Sequence, residues 1–195
     1  MFTGIIENLA EVKAIEKDKG NISFTLQSSL AHELKIDQSV SHNGVCLTVV
    51  KQWDDQYQVT AIKETLEKSN LASLQIGSTV NIERCMVMNG RLDGHIVQGH
   101  VDATGKCVLK EFNEGSWRFV FEYTASRTNL IVEKGSISIN GVSLTVFNVS
   151  NTNFEVAIIP YTYEHTNFHE LALGSIVNLE FDIIGKYIAR LHELK

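Results

Sequence analysis

The sequence predicts an all-β protein in which an internal duplication gives two small closed barrels, with a helix following at the C-terminus. The first observation is a nine-residue motif at 41–49 that returns at 138–146 with seven positions identical. The second is a series of short segments rich in β-branched residues, five in each copy, separated by turn residues. Five or six strands within one copy favour closure into a barrel, because closure leaves no exposed strand edge.

The duplication extends beyond the motif, at the same offset of 97 residues (138 − 41). Two further pairs of segments match at that offset, and a third matches more weakly at 95: 65–71 with 162–168, 77–83 with 174–180, and 4–7 with 99–102. The constant offset predicts two domains of one fold, residues 1–86 and 96–182. Since two copies are too few for a solenoid, each domain is expected to close its own core.

The strands and helices are predicted from hydrophobic alternation and turn signals. Strands of the first copy are expected at 9–15, 22–26, 46–50, 57–62 and 80–85. Strands of the second copy are expected at 106–110, 117–123, 143–149, 154–159 and 176–181. Short helices are expected at 29–34, 66–71 and 126–132.

The tail at 183–195 departs from the strand pattern and predicts a helix. Its apolar residues are spaced three, four and three apart, which places them on one stripe: Ile184, Tyr187, Leu191 and Leu194. Asp182 is a candidate N-cap. An apolar stripe on so short a helix needs a packing surface, which is either the chain's own barrel or the same helix of other copies.

Composition excludes several classes of protein. The net charge of −6 argues against a general nucleic-acid binder, which needs a basic face. No run approaches 18 apolar residues, and the first residues lack the pattern of a signal peptide, so we expect no membrane partner and a cytoplasmic location. The three cysteines are widely spaced and the histidines form no ligand motif, so we expect neither a disulfide framework nor a metal site.

The two motif positions that differ are chemically consequential. Cys46 corresponds to Ser143, and His42 corresponds to Ile139. A repeat that changes its reactive residue predicts two similar pockets with unequal roles. By residue type alone, Cys46 would be read as a plain buried thiol, and His42 as a surface or loop residue.

At this point the sequence resembles the riboflavin synthase family. The resemblance is carried, in order along nearly the whole chain, by MFTGII at 1–6, HNGVCLTV at 42–49, GHIVQGHVD at 94–102, KGSISINGVSLTV at 134–146, IIPYT at 158–162 and VNLEFD at 177–182. It implies two six-stranded Greek-key barrels and a C-terminal trimerisation helix. It implies a homotrimer with active sites between subunits, and it suggests association with lumazine synthase.

The resemblance also implies the reaction, a four-carbon transfer between two molecules of 6,7-dimethyl-8-ribityllumazine. The products are riboflavin and 5-amino-6-(D-ribitylamino)uracil, formed by a transferase that uses no cofactor and no metal. This would be the last step of riboflavin biosynthesis. A non-catalytic lumazine or flavin carrier of the same fold is the alternative. A flavin reductase is a weaker one, because the chain lacks a Gly-rich phosphate loop.

The resemblance carries candidate site residues onto this chain. The catalytic candidates are Cys46, His100, Ser143, Thr145, Asp182 and Ser39. The substrate-binding candidates are Gly4, Ile5, Ile6, Cys46, Leu47, Thr48, Thr60, Ala61, Ile62, Lys63, Glu64, Thr65, Gly99, His100, Val101, Lys134, Ser143, Leu144, Thr145, Ala157, Ile158, Ile159, Pro160, Tyr161 and Thr162. Cys46 would be the reactive thiol, and His100 a base or proton relay.

Several roles stay open at this stage. The nucleophile that adds at C7 of the acceptor ring is water, Cys46 or a substrate hydroxyl. Asp182 is a site residue, a helix cap or both, and His95 is expected to support its turn. Tyr161 and Tyr163 depart from the family pattern, which affects the expected contacts with the ribityl chain.

Overall fold

The computed structural model describes residues 1–125 and 130–194 and contains two closed six-stranded barrels. The strands of the first barrel are β1 (Asn8–Asp18), β2 (Asn21–Gln27), β3 (Ser39–His42), β4 (Val45–Trp53), β5 (Gln56–Ala61) and β6 (Thr79–Arg84). Those of the second are β7 (Ala103–Asn113), β8 (Ser116–Glu122), β9 (Ser136–Ile139), β10 (Val142–Phe147), β11 (Asn153–Ile158) and β12 (Ile176–Phe181). The described residues also form helices α1 (Lys63–Lys68), α2 (Pro160–Glu164) and α3 (Ile183–Glu193), and 3₁₀ turns at Ala31–Glu33, Asn70–Ser73 and Asn167–His169.

Both barrels have the same antiparallel Greek-key topology. The strand order is β1-β2-β5-β4-β3-β6 in the first and β7-β8-β11-β10-β9-β12 in the second, each closed on itself. The predicted fold class, a duplicated six-stranded barrel with a C-terminal helix, is therefore confirmed. No helix among the described residues is long and apolar enough to cross a membrane.

Strand alternation decides which side chains fill each barrel. Along β4, Val45, Leu47 and Val49 are buried in the core, whereas Cys46 and Thr48 point to the outer surface. The second barrel has a more aromatic core, which includes Phe119, Phe121, Phe154, Phe168 and Phe181. The outward residues of β4 and β10 are thus free to line a site.

Some predicted elements differ from the observed ones. Strands β3 and β9 were not predicted, because each has only four residues. The helix expected at 29–34 is a single 3₁₀ turn, and the one at 66–71 is α1 followed by a second 3₁₀ turn. Of the helix expected at 126–132, residues 126–129 lie outside the described residues, and 130–132 are not helical.

Six buried asparagines join the barrels. They form three pairs at the repeat offset: Asn43 with Asn140, Asn70 with Asn167, and Asn81 with Asn178. The Asn178 side-chain amide donates to the Asn43 carbonyl at 2.8 Å, and the Asn81 amide donates to the Asn140 carbonyl at 2.9 Å. Because buried amides left without partners are costly, these reciprocal bonds fix one barrel against the other.

Helix α3 extends from the second barrel with its apolar residues uncovered. The Asp182 carboxylate accepts the Ile184 amide at 2.9 Å, which confirms the predicted cap. Lys186 pairs with Asp102 at 2.6 Å and holds the first turn. None of the described residues of α3 is buried, and its exposed apolar residues are Ile184, Tyr187, Ile188 and Leu191, with Leu194 following. Packing of this helix on its own barrel is therefore not observed.

Candidate active site

Two short segments cross between the barrels at the candidate site: one runs from Phe2 to Gly4 and the other from Val97 to Gly99. Phe2 and Val97 exchange backbone hydrogen bonds of 2.7 and 3.1 Å and hold the segments side by side. The Gly99 carbonyl then accepts the Cys46 amide at 2.9 Å, and the Gly4 carbonyl accepts the Ser143 amide at 2.8 Å. The segment with Gly4, which precedes the first barrel, therefore lies against β10 of the second barrel. The segment with Gly99, which precedes the second barrel, lies against β4 of the first. The repeat placed Gly4 within the first domain, residues 1–86, and its contact with the second barrel was not predicted.

Glycine is required at both crossing points. Gly4 and Gly99 have φ angles of +77° and +82°, which side chains rarely adopt. A Cβ on Gly99 would lie 2.5 Å from the Cys46 Cβ, and one on Gly4 would lie 2.6 Å from the Ser143 Cβ. These distances are too short for any other residue, so the absence of a side chain permits the approach.

Two clefts result. The Cys46 cleft, of about 220 Å³, is lined by Val45, Cys46, Glu64, Thr65, Lys68, Ser69, Gly99, His100 and Val101. The Ser143 cleft, of about 90 Å³, is lined by Gly4, Ile5, Ile6, Val142, Ser143, Tyr161, Thr162, His165 and Thr166. The two linings correspond position by position through the repeat, and they share no member among the described residues.

Four corresponding positions make the clefts chemically unequal. Cys46 and His100 stand where the other cleft has Ser143 and Ile5. Glu64 and Lys68 of α1 form an ion pair at 2.9 Å. Their counterparts, Tyr161 and His165, form an aromatic stack with ring centroids 4.0 Å apart. One cleft thus has a thiol, an imidazole and charged residues, and the other has a hydroxyl and an aromatic wall.

The Cys46 thiol is half-buried, and its surroundings disfavour the thiolate. Burial raises its pKa, and the neighbouring Cys85 and Glu180 raise it further, although the Ser39 hydroxyl acts in the opposite direction. The Ser39 hydroxyl therefore lies beside the thiol, and its role in the site stays a prediction. A thiolate at Cys46 would require a base, and His100 lines the same cleft.

His95 belongs to the candidate site, although the sequence suggested only support for a turn. Its Nδ1 lies 2.7 Å from the Ser143 Oγ. Burial lowers the pKa of His95, and the nearby Asp182 carboxylate raises it. The role of His95 depends on its contact with Ser143, the counterpart of Cys46 in the second copy. The spacing of residues along the sequence does not reveal that contact.

His42 is another residue that the sequence placed incorrectly. It is buried in the first barrel, where its Nε2 lies 2.9 Å from the Tyr57 hydroxyl and its Nδ1 lies 3.0 Å from the Val40 carbonyl. Burial lowers its pKa to about 4. The prediction of a surface or loop position was wrong because His42 belongs to the short strand β3, which had not been predicted and in which its side chain is buried.

The remaining predicted substrate-binding residues lie around the clefts or in the cores. Leu47, Ala61 and Ile158 are core residues, and Leu144 packs against the core of the second barrel. The outward or exposed positions are Thr48, Thr145, Ile62, Lys63, Ala157, Ile159 and Pro160. The Thr60 hydroxyl bonds to Ser23 at 2.9 Å, and the Lys134 ammonium lies 5.4 Å from the Phe147 ring centroid. Their contacts with a ligand stay predictions.

Another cleft, of about 450 Å³, lies along the segment that joins the barrels. It is bordered by Glu7, Arg84, Met86 and Arg91, and it adjoins the Ser143 cleft at Ile5. Arg84 is already paired with Glu7 at 2.9 Å and with Glu33 at 2.6 Å. Its described lining includes Cys85 but no histidine, whereas the Cys46 cleft brings a thiol and an imidazole together, so the two smaller, repeated clefts are the better candidates.

Comparisons with known proteins match this architecture. The family model of the lumazine binding domain matches the chain twice, at 3–85 and 98–182, which defines a protein of two tandem lumazine binding domains. Riboflavin synthase of Mycobacterium bovis is 43% identical over 197 residues, covering 98% of both chains. Riboflavin synthase of Bacillus amyloliquefaciens is 40% identical over 191 residues, covering 97% of this chain and 89% of the relative. The chain belongs to the riboflavin synthase family.

A solved structure shares the fold at lower sequence identity. The crystal structure of LumP complexed with riboflavin has a TM-score of 0.86 and 21% identity, and the match covers 92% of this chain and 98% of that one. LumP complexed with 6,7-dimethyl-8-(1'-D-ribityl) lumazine gives a TM-score of 0.84. At this identity the likeness supports the two-barrel fold alone.

Proposed function

We propose that the chain converts two molecules of 6,7-dimethyl-8-ribityllumazine into riboflavin and 5-amino-6-(D-ribitylamino)uracil. The observation that carries the proposal is the pair of corresponding clefts with unequal reactive groups, in a chain that belongs to the riboflavin synthase family. One substrate must donate a four-carbon unit and the other must accept it. Two related pockets with different side chains suit two copies of one molecule in different roles.

Orientation is expected to supply much of the rate enhancement. Two flat rings held face to face gain roughly 7–11 kcal/mol over free encounter. The Cys46 and Ser143 clefts of one chain share no lining residue among those described, so each is proposed to hold one ring. The two rings would meet when the Cys46 cleft of one chain faces the Ser143 cleft of another.

We therefore propose that the active enzyme is a homotrimer. Its assembly would be driven by the exposed apolar residues of α3, among them Ile184, Ile188 and Leu191. An assembly of three copies gives each cleft a partner of the other kind. Association with lumazine synthase and a cytoplasmic location stay predictions.

In the Cys46 cleft the proposed chemistry is proton-coupled addition. Burial disfavours the thiolate of Cys46, so its attack at C7 of the acceptor ring would be helped by a base that removes the proton. His100 supplies an imidazole in the same cleft. Ser39, beside the thiol, would orient it. Water activated by His100 is the alternative nucleophile in the same geometry.

In the Ser143 cleft the proposed chemistry is stabilisation of the carbanion donor. Loss of a proton from the C7 methyl leaves negative charge on the ring, and a hydroxyl donor at its edge lowers the barrier. The Oγ of Ser143 lies 2.7 Å from the Nδ1 of His95, which positions the hydroxyl. The nearby Asp182 carboxylate raises the pKa of that imidazole. Thr145, two residues along β10, presents a second outward hydroxyl.

A non-catalytic lumazine or flavin carrier is the second candidate function. The fold that the chain shares with LumP is the observation in its favour. Against it, a carrier needs no reactive pair, whereas this chain brings Cys46 and His100 into one cleft and Ser143 and His95 into contact. The enzyme is the better supported reading.

Incubation of the purified protein with 6,7-dimethyl-8-ribityllumazine alone tests the proposal. We expect riboflavin absorbance to appear, with two substrate molecules consumed for each riboflavin formed. Tight binding with unchanged ligand would support the carrier and contradict the enzyme.

A further inference from the structure

Two buried glutamates on the last strands of the barrels hold backbone segments by converging hydrogen bonds. Glu180 on β12 accepts the Gln98 amide at 2.6 Å on one oxygen, and the Gly99 and His100 amides, each at 2.9 Å, on the other. Glu83 on β6 accepts the Thr3 amide at 2.6 Å and hydroxyl at 2.7 Å on one oxygen, and the Gly4 amide at 3.0 Å on the other. Their exposed fractions are 2% and 3%.

Each glutamate serves the opposite barrel. Glu180 belongs to the second barrel, yet the Gly99 and His100 amides that it holds line the Cys46 cleft of the first. Glu83 belongs to the first barrel, yet Gly4 lines the Ser143 cleft of the second. The arrangement is crossed, because the segments themselves cross at the Phe2–Val97 bridge.

The geometry requires an acceptor-only group with two oxygens. Three donors converge on each side chain, and both carboxylate oxygens are used. A glutamine of the same shape would turn its NH₂ toward an N–H group and leave a buried donor without a partner. Burial raises the pKa of both carboxyl groups, and the hydrogen bonds from the held segments offset only part of this effect.

We propose that Glu180 is the positioning residue of the Cys46 cleft and Glu83 that of the Ser143 cleft, so that each barrel builds the cleft of the other. Neither glutamate lies in the lining of the cleft that it organises. Glu180 acts by fixing the His100 backbone and the Gly99 carbonyl that bonds to Cys46. These positioning roles extend the proposed function, and only the expected loss of turnover depends on it.

Hydrogen exchange measured by mass spectrometry on Glu180→Gln and Glu83→Gln tests the crossing without any substrate. We expect Glu180→Gln to speed exchange in 98–100 by about tenfold and to leave 3–4 unchanged, and Glu83→Gln to do the reverse. Alkylation of Cys46 by iodoacetamide, followed by peptide mapping, should change rate in Glu180→Gln alone. Glu122→Gln, an exposed glutamate on β8 that lines neither cleft, is the matched control and should change nothing.

Equal responses of both segments to either substitution, or no response of either, would overturn the proposal. If a glutamine variant does not fold, Glu180→Asp and Glu83→Asp keep the charge, shorten the reach and should give the same crossed pattern. Turnover should fall about tenfold in each variant. A crossed exchange pattern with no lumazine turnover in the wild type would refute the proposed function and leave the positioning role intact.

Discussion

The Cys46 backbone amide donates a 2.9 Å hydrogen bond to the Gly99 carbonyl, across the boundary between the two barrels. This contact brings His100, the residue after Gly99, into the cleft that contains the thiol. The cleft therefore depends on how closely the crossing segment approaches β4.

Gly99→Ala should disrupt that approach. The new Cβ would lie 2.5 Å from the Cys46 Cβ and 2.9 Å from its nitrogen. Gly115→Ala is the matched control, because its φ of +88° is similar and no atom lies within 4 Å of the added carbon. Backbone strain of about 1–2 kcal/mol is common to both, and the clash adds about 1–3 kcal/mol at Gly99 only. Urea unfolding and a turnover assay measure the difference, and equal losses in the two variants would contradict the close-contact explanation.

Cys46→Ala should retain lumazine binding and lose turnover by about 100-fold, the lower range for removal of one proton-transfer or nucleophilic group. Cys85→Ala, a second half-buried thiol that lines neither small cleft, is the control. Fluorescence titration and riboflavin formation separate binding from chemistry. Undiminished turnover in Cys46→Ala would remove the thiol from the mechanism.

Acid should destabilise the first barrel through His42. Its pKa is about 4 in the folded chain against an ordinary value of 6.5. The stability supplied by the neutral ring is therefore complete above pH 6.5 and is lost as the pH falls from 6.5 to 4, by about 3 kcal/mol. The measurement is unfolding free energy against pH.

The second barrel provides the control for this acid effect. The positions that correspond to His42 and Tyr57 are Ile139 and Phe154. The double variant His42→Ile with Tyr57→Phe installs that apolar pair and should flatten the pH dependence between 6.5 and 4. Parallel curves for the wild type and the double variant would show that another group is responsible.

Leu191→Glu should dissociate the proposed trimer. The substitution places a charge among the exposed apolar residues of α3, whereas Glu193→Gln on the same helix is the mild control. Light scattering should show smaller particles and the assay lower activity, with unchanged barrel content by circular dichroism. Deletion of 184–195 should act in the same way. A fully active monomer would contradict the need for assembly.

The sequence predicted the features that leave a periodic trace. The constant offset of 97 showed the duplication, and alternation along 46–50 predicted strand β4, although the outward orientation of Cys46 was not predicted. The unequal pair Cys46 and Ser143 could be read directly, because both occupy the same place in the motif. The cap by Asp182 also followed from local chemistry.

Features that depend on contacts between distant residues could not be read in this way. The crossing of Gly4 and Gly99 leaves no trace in the repeat, because it depends on Phe2 and Val97 pairing with each other rather than within their own barrels. His95 meets Ser143 across 48 residues, and Glu180 meets His100 across 80. Each contact arises only when both barrels are closed and packed together.

The buried asparagines between the barrels also account for the identical residues that the two copies share at this contact. Asn43 and Gly44 meet Asn140 and Gly141 at the centre of the molecule, and a Cβ on either glycine would lie 2.8 Å from the other's nitrogen. A substitution on one side would leave a buried group on the other side without its partner, so the contact needs the same residues in both copies. The two copies differ one and two residues away, at His42 in the core of the first barrel and at Cys46 in its cleft. The contact between the repeats therefore restricts these four positions, and the unequal chemistry of the two clefts arises directly beside it.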